Sequence, residues 1–458
     1  MVNTRTLSES LRLGAGGEPY AHKLLREMLA VESALAQAQG RAGLIPSQVA
    51  RIISEVCEAL SSDLMRLDPD QCENDSLLAG NIAIPFVKKL TAQVAQANAE
   101  AAKHVHFGAT SQDILDTAAV LVWQQDILRL EGLLKDAMHH AAALARAHRD
   151  TPMMGRTWMQ QALPMTFGLK AAGWLDALMR HAQRLDAARE EIRVVQFGGA
   201  TGSLASLGKE GLKVSHALAE ILALREPSLP WFGHRDRVFA LASVLVGLTG
   251  SLGKIAKDVS LMSQTEVAEC REGVAPGKGG SSTMPHKRNP VHCAAILTQA
   301  TFLPGLLGVL ASALPQEHER ALGGWQAEWQ AMPQILQGTE KALQQSAALL
   351  AGLEVLPQAM RANIDVSQGL VMAESVAFGL APQIGKAAAH ALLERLSRQA
   401  VDCGQTLGEA LMNDPEASRL ATREHFSAWL SPLAYLGASG DFVDRVLDAY
   451  DRRGADVS

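Results

Sequence analysis

At 458 residues the chain exceeds one ordinary hydrophobic core, and roughly two to four domains are expected. Its composition is 48% hydrophobic, 20% charged and only 4% aromatic, a balance that suits Ala- and Leu-rich helices packed closely together. The formal net charge of -6 argues against a general nucleic-acid-binding or anionic-membrane surface, so bound anions need local positive charge.

In chain order, a polar stretch from Met1 to Arg12 lacks the apolar core of a signal peptide. Short helices are expected over the first hundred residues. The turn Gly108-Ala109-Thr110-Ser111 then opens a helix over about 112–148, where Leu130, Leu134, Ala137, Ala141 and Leu144 recur at steps of four and three. Thr110 or Ser111 can cap it, with Asp113 in the first turn facing the positive end of the dipole. Similar patterns predict helices over about 164–195, 237–270, 290–314 and 327–353, with breaks at Asp150-Thr151-Pro152 and Gly198 to Gly202. Beyond residue 355 shorter helices are expected, with turns at Gly385, Gly404 and Gly437. The reading is all-α: an N-terminal helical domain over 1–110, a central long-helix bundle over 111–355 and a C-terminal helical domain over 356–458. Helices this long leave faces that one chain does not cover, so self-association is expected.

The five cysteines (Cys57, Cys72, Cys270, Cys293 and Cys403) form no CxxC pair and fit the reduced thiols of a cytoplasmic protein. No histidine pair has HExxH spacing, so no metal is expected. No uninterrupted apolar run reaches the length of a membrane span, so no membrane partner is expected.

The richest stretch chemically is Gly279 to Pro290, where Gly and Pro frame Ser281, Ser282, His286, Lys287, Arg288 and Asn289. Hydroxyls, cations and an amide gathered on a loop suit holding an anionic ligand while a proton moves. It is not a P-loop, because Gly273 and Gly277-Lys278 are separated by three residues rather than four and follow a segment that reads as helical. A second segment, His104 to Asp113, offers either a plain N-cap or a carboxylate site at a helix N-terminus, with His106, Thr110 and Ser111. A third, Gly155-Arg156-Thr157-Trp158-Met159-Gln160, supplies a guanidinium that can fork onto a carboxylate and an indole that can wall a pocket. Gln316 to Arg320 and Arg235 to Arg237 are charge-dense and read equally well as solvated helix faces.

Gly280 to Pro290 matches the GSSxMPxKxNP signature of the fumarase/aspartase superfamily, which the chain resembles over nearly its whole length. Gly108 to Asp113 and Gly155 to Gln160 fall where that superfamily has its other two signature regions. Within it, Gly155 to Trp158, Phe197 to Leu204, Gln316 to Arg320, Trp325 and Ala327 to Trp329 are most similar to the bacterial lactonizing branch, the cycloisomerases of protocatechuate catabolism. Fumarate-releasing lyases carry His where Trp158 stands, and an indole N–H can act neither as acid nor as base near neutral pH. Ala321, where relatives usually have Ser, Cys270 to Gly273 and the residues before Pro19 depart from the branch.

The resemblance implies interconversion of 3-carboxy-cis,cis-muconate, a small tricarboxylate, with 4-carboxymuconolactone. It further implies a homotetramer with active sites shared between subunits, and no cofactor. It assigns Ser281 as acid and base, with Lys287 and Asn289 on the carboxylate that accumulates charge. His106, Thr110, Ser111, Arg156, Thr157, Gln160, His286 and Arg320 would bind substrate, with Trp158 shaping the pocket. The alternative is a fumarate-releasing lyase such as adenylosuccinate or argininosuccinate lyase. A non-enzymatic role is disfavoured because Ser281, Lys287 and Asn289 are all present.

Overall fold

The computed structural model describes residues 18–273, 280, 284 and 287–455. They are overwhelmingly helical, and the expected long helices are present: α3 (Ser111–Ala147), α4 (Phe167–Ile192), α5 (Asp236–Met262), α6 (Val291–Ser312) and α7 (Gly324–Ala351). Shorter helices precede them, the first two being α1 (Tyr20–Arg41) and α2 (Ser47–Ser62). The helix expected to run to Cys270 stops at Met262, because the chain then turns into a short strand.

Two compact units emerge, each assembled from separated stretches, so the long helices are divided between them rather than grouped in chain order. The first unit comprises the described part of Met1–Leu133, His181–Gly250 and Thr298–Leu343. Here α1 buries Leu25, Met28, Leu29 and Leu35 against α2 and the helix Gly211–Ile221. Each such side chain, fully buried, contributes about 1.5–3 kcal/mol. Lys23 is buried against Asp126 at 2.8 Å, an ion pair satisfied within the interior.

The second unit comprises the described part of Leu134–Arg180, Ser251–Leu297 and Gln344–Ser458. It holds the strands, which helical periodicity did not announce. The pair β1 (Pro152–Thr157) and β2 (Gln160–Thr166) forms an antiparallel hairpin, and β3 (Cys270–Glu272) pairs antiparallel with β4 (Leu353–Val355). The register of the hairpin shifts between Met154 and Arg156, at Gly155. A Cβ on Gly155 would lie 2.8 Å from the Leu163 carbonyl oxygen, so only glycine fits that irregularity. Toward the C-terminus, short helices bury Leu380, Leu393, Leu396, Leu411 and Phe426 together. Capping boxes at Thr406–Glu409 and Thr422–His425 start two of those helices.

Two helices correct the expectation from uninterrupted runs. Both α5 and α6 contain an 18-residue window of mean hydropathy 1.7, so by length and composition they match a membrane span. Thr298, Gln299 and Thr301 interrupt the run in α6 without making it polar. The two differ in burial: 56% of that window in α5 is buried, against 22% in α6.

Candidate active site

In the first unit the anchor is Asp113, in the first turn of α3. Its carboxylate accepts from the backbone N–H of Thr110 at 2.9 Å, Gly198 at 2.8 Å and Gly199 at 3.0 Å. Burial pushes its pKa up to about 7, while the three backbone donors pull it down. The Thr110-Ser111 helix start is thereby tied to the glycine turn 198–199. The next carbonyl of that turn, Ala200, accepts from the Arg320 guanidinium at 2.9 Å. The same guanidinium lies 5.5 Å from the centroid of the Phe232 ring, and its buried Nε has no hydrogen-bond partner among the described residues. Thr110, Ser111 and Arg320 thus frame one region that a helix N-terminus makes favourable for anions.

His106 sits on the same turn with φ of +59°, and its Nδ1 lies 2.6 Å from Oε1 of the buried Glu32. Burial alone would lower the His106 pKa, but the hydrogen bond and charge of Glu32 outweigh it and raise the value. The shift is toward the imidazolium form, which would place positive charge beside the helix start. Gly108 has φ of +73°, and a Cβ there would lie 2.4 Å from Leu207, so the turn requires glycine.

Beneath this surface lies a buried ion cluster. Arg235, 3% exposed, donates to Asp116 at 2.8 and 3.1 Å and to Glu328 at 2.6 to 3.1 Å. Trp325 Nε1, Gln112 Nε2 and Gln196 Nε2 also donate to Asp116, and the Trp231 ring lies 4.7 Å from the guanidinium. Arg235 is therefore an interior strut rather than part of a solvated helix face. Glu317, by contrast, is exposed and accepts from the Leu322 N–H.

In the second unit Arg156 has both terminal nitrogens on Glu269, at 2.8 and 2.7 Å, and Glu269 is wholly buried. Asn363 Nδ2 donates to the same carboxylate at 2.9 Å, while the Asn363 carbonyl accepts from Gln161 Nε2 at 2.9 Å. Because Arg156 and Gln161 are register partners, this closes a ring of contacts under the hairpin tip. The Arg156 fork thus already holds a protein carboxylate and aims the tip, while its side chain keeps 28% exposure. Above the ring, Trp158 and Met159 form the two-residue turn, both at positive φ (52° and 64°) and exposed at 96% and 72%. Thr157 and Gln160 are the last ladder pair and share that tip.

The signature loop is described only in part: Ser281 and His286 lie outside the described residues. Lys287 is exposed, and Asn289 is half-buried beside the start of α6. Glu272, which precedes the loop, accepts from the backbone N–H of His292 at 3.2 Å and Cys293 at 2.9 Å, which follow it. One carboxylate thereby caps α6 and draws the two ends of the loop together. Arg271 and Arg288 also share Glu354, at 2.6 and 3.6 Å. Among the described residues no group of three or more His, Cys, Asp or Glu side chains has an arrangement suited to a metal ion.

Comparison with known proteins gives these geometries a family. Residues 17–305 match the family described as Lyase, and residues 369–446 match one described as Adenylosuccinate lyase C-terminus. A relative named 3-carboxy-cis,cis-muconate cycloisomerase from Bradyrhizobium diazoefficiens is 46% identical over 93% of this chain and 94% of its own. One of the same name from Pseudomonas aeruginosa is 45% identical over 94% and 93%. The crystal structure of 3-carboxy-cis,cis-muconate lactonizing enzyme from Pseudomonas putida superposes with a TM-score of 0.89 at 45% identity, covering 93% and 94% of the two chains.

Proposed function

Given that the chain belongs to the lyase family, we propose that it is an intramolecular lyase that interconverts 3-carboxy-cis,cis-muconate and 4-carboxymuconolactone. The observation that carries this reading is Trp158, held at the exposed hairpin tip where fumarate-releasing relatives are expected to carry His. An indole can shape a pocket there but cannot exchange a proton. The near-half identity to curated cycloisomerases over almost the full chain supports the same reading.

In the forward direction one substrate carboxylate attacks the diene and forms the lactone C–O bond. The displaced π electrons move to the carbon alpha to another carboxylate, which takes a proton. Closure is unimolecular and redox-neutral, so catalysis consists of holding the attack geometry, delivering the proton and stabilising the aci-carboxylate. We assign the proton to Ser281 and the developing charge to Lys287 and Asn289. The other carboxylates fall to His106, to Thr110 and Ser111 at the α3 N-terminus, to Arg320 and to His286, with Thr157 and Gln160 on the hairpin rim.

The same reading makes the enzyme a cytoplasmic homotetramer with sites shared between copies. Support for assembly comes from α6, whose most apolar stretch is only 22% buried within one chain and which exposes Phe302 and Val309. Support for the compartment comes from the free cysteines, four of them buried.

The test is a spectroscopic assay of purified protein with 3-carboxymuconate. Loss of diene absorbance is expected. No turnover by the folded protein, together with fumarate release from adenylosuccinate or argininosuccinate, would replace this reading with the elimination alternative.

A further inference from the structure

Behind the base of the hairpin, between α4 and α5, lies a cavity of about 310 Å³. Its walls are largely apolar, with Met165, Leu169, Trp174, Leu178 and Ile255, and two ammonium groups, Lys170 and Lys254, stand at it together with the Asp258 carboxylate. At Gly173 in α4 an added Cβ would meet nothing within 4 Å. A glycine inside a helix costs about 1 kcal/mol relative to alanine, and here the space it leaves belongs to the cavity.

The charges around the cavity do not cancel. Those bearing on Lys170 are two carboxylates, Asp258 and Glu269, and two further cations, Lys254 and Arg156. Glu269 is engaged by Arg156 and Asn363. Asp258 is engaged by Lys254, and by Trp174 Nε1 at 2.9 Å. Lys170 is left as the odd cation, half-buried, with no hydrogen bond or ion pair among the described residues. Burial lowers its pKa, and Lys254 and Arg156 add to that effect while Asp258 and Glu269 oppose it.

We infer that this cavity is a second small-molecule site, distinct from the signature loop, that takes an organic monoanion with a flat apolar body. The carboxylate meets Lys170, and the body lies over Gly173 against Trp174 and Ile255. One unmatched positive charge sets the ligand charge at minus one, and the lining sets its apolar character. Met165 belongs both to the cavity and to β2, so occupancy bears on the strand that carries the hairpin.

The probe is benzoate, with uncharged benzamide as its control, titrated into the purified enzyme by calorimetry. Saturable benzoate binding is expected, with benzamide failing to compete. Lys170→Met should weaken binding about tenfold or more, by loss of a charge-assisted hydrogen bond. Gly173→Leu should abolish it by filling the cavity, while leaving helical circular dichroism unchanged. Lys287→Met, on the signature loop, should leave binding intact. The inference is overturned if benzoate does not saturate, if benzamide binds equally, if Lys287→Met alone abolishes binding, or if both cavity variants bind like wild type. It is also overturned if Gly173→Leu changes the sedimentation coefficient, because the cavity would then seat another copy of the chain.

Discussion

Arg156 and Glu269 meet fork to fork, through bonds of 2.8 and 2.7 Å, with the carboxylate wholly buried and the guanidinium keeping some solvent contact. Removing one partner of a buried pair strands the other, at a cost of about 3–5 kcal/mol. Glu269→Ala should fall near the lower end of that range, since Arg156 can recover water. Its urea midpoint should drop accordingly. Arg156→Lys should lose most of the turnover because an ammonium cannot make the fork. Wild-type turnover in a folded Arg156→Lys protein would show that the hairpin does not depend on this pair.

Glu32 holds His106 at 2.6 Å and raises its pKa against the opposing effect of burial. A pKa raised on folding means that the folded state binds the proton more tightly than the unfolded chain. The resulting stabilisation is complete below the unfolded value of about 6.5 and fades as pH rises through the folded value. The stability difference between wild type and His106→Gln should therefore shrink with rising pH above about 6.5. Denaturant titrations at several pH values measure it, and a difference that grows with pH would contradict the assignment.

Glu272 caps α6 while standing at the far end of the signature loop. Losing such a cap costs about 0.5–2 kcal/mol. Glu272→Ala should show that modest loss in thermal or urea unfolding, together with a larger fall in kcat, because the loop start is no longer drawn to its end. Equal kcat in the variant would confine Glu272 to a stabilising role.

Trp158→His restores a group able to exchange a proton at the tip. Lactonisation should fall about tenfold or more, since a smaller ring leaves part of the pocket wall missing. Fumarate release from succinyl adducts should not appear, because the remaining contacts are unchanged. Full lactonising activity in Trp158→His would remove the observation on which the proposed reaction rests.

The long helices were legible because their apolar residues recur at steps of three and four over many turns, as in Leu130 to Leu144 of α3. The hairpin was not. Its strands lack period-two alternation, and its turn uses Trp158 and Met159 where Gly or Asn would have signalled one. The glycine turns at 108 and 198–199 were visible as breaks, but the carboxylate that joins them was seen only as a dipole partner of its own helix. Glu32, Glu269 and Glu328 were not seen as partners of a cation, for a shared reason. They lie 74, 113 and 93 residues from His106, Arg156 and Arg235, and pairing over such distances is decided by tertiary folding, which local pattern does not encode.

The turn at Trp158 and Met159 has a consequence for how this protein responds to selection. Left-handed backbone costs a non-glycine residue about 1–2 kcal/mol, and Asn-Gly adopts that conformation readily. A screen that rewards heat resistance alone should therefore enrich replacements at these two positions, and the same replacements remove the indole from the tip. Thermal robustness and chemistry pull in opposite directions at this one turn, so a library meant to improve both must hold Trp158 fixed and seek its gains elsewhere.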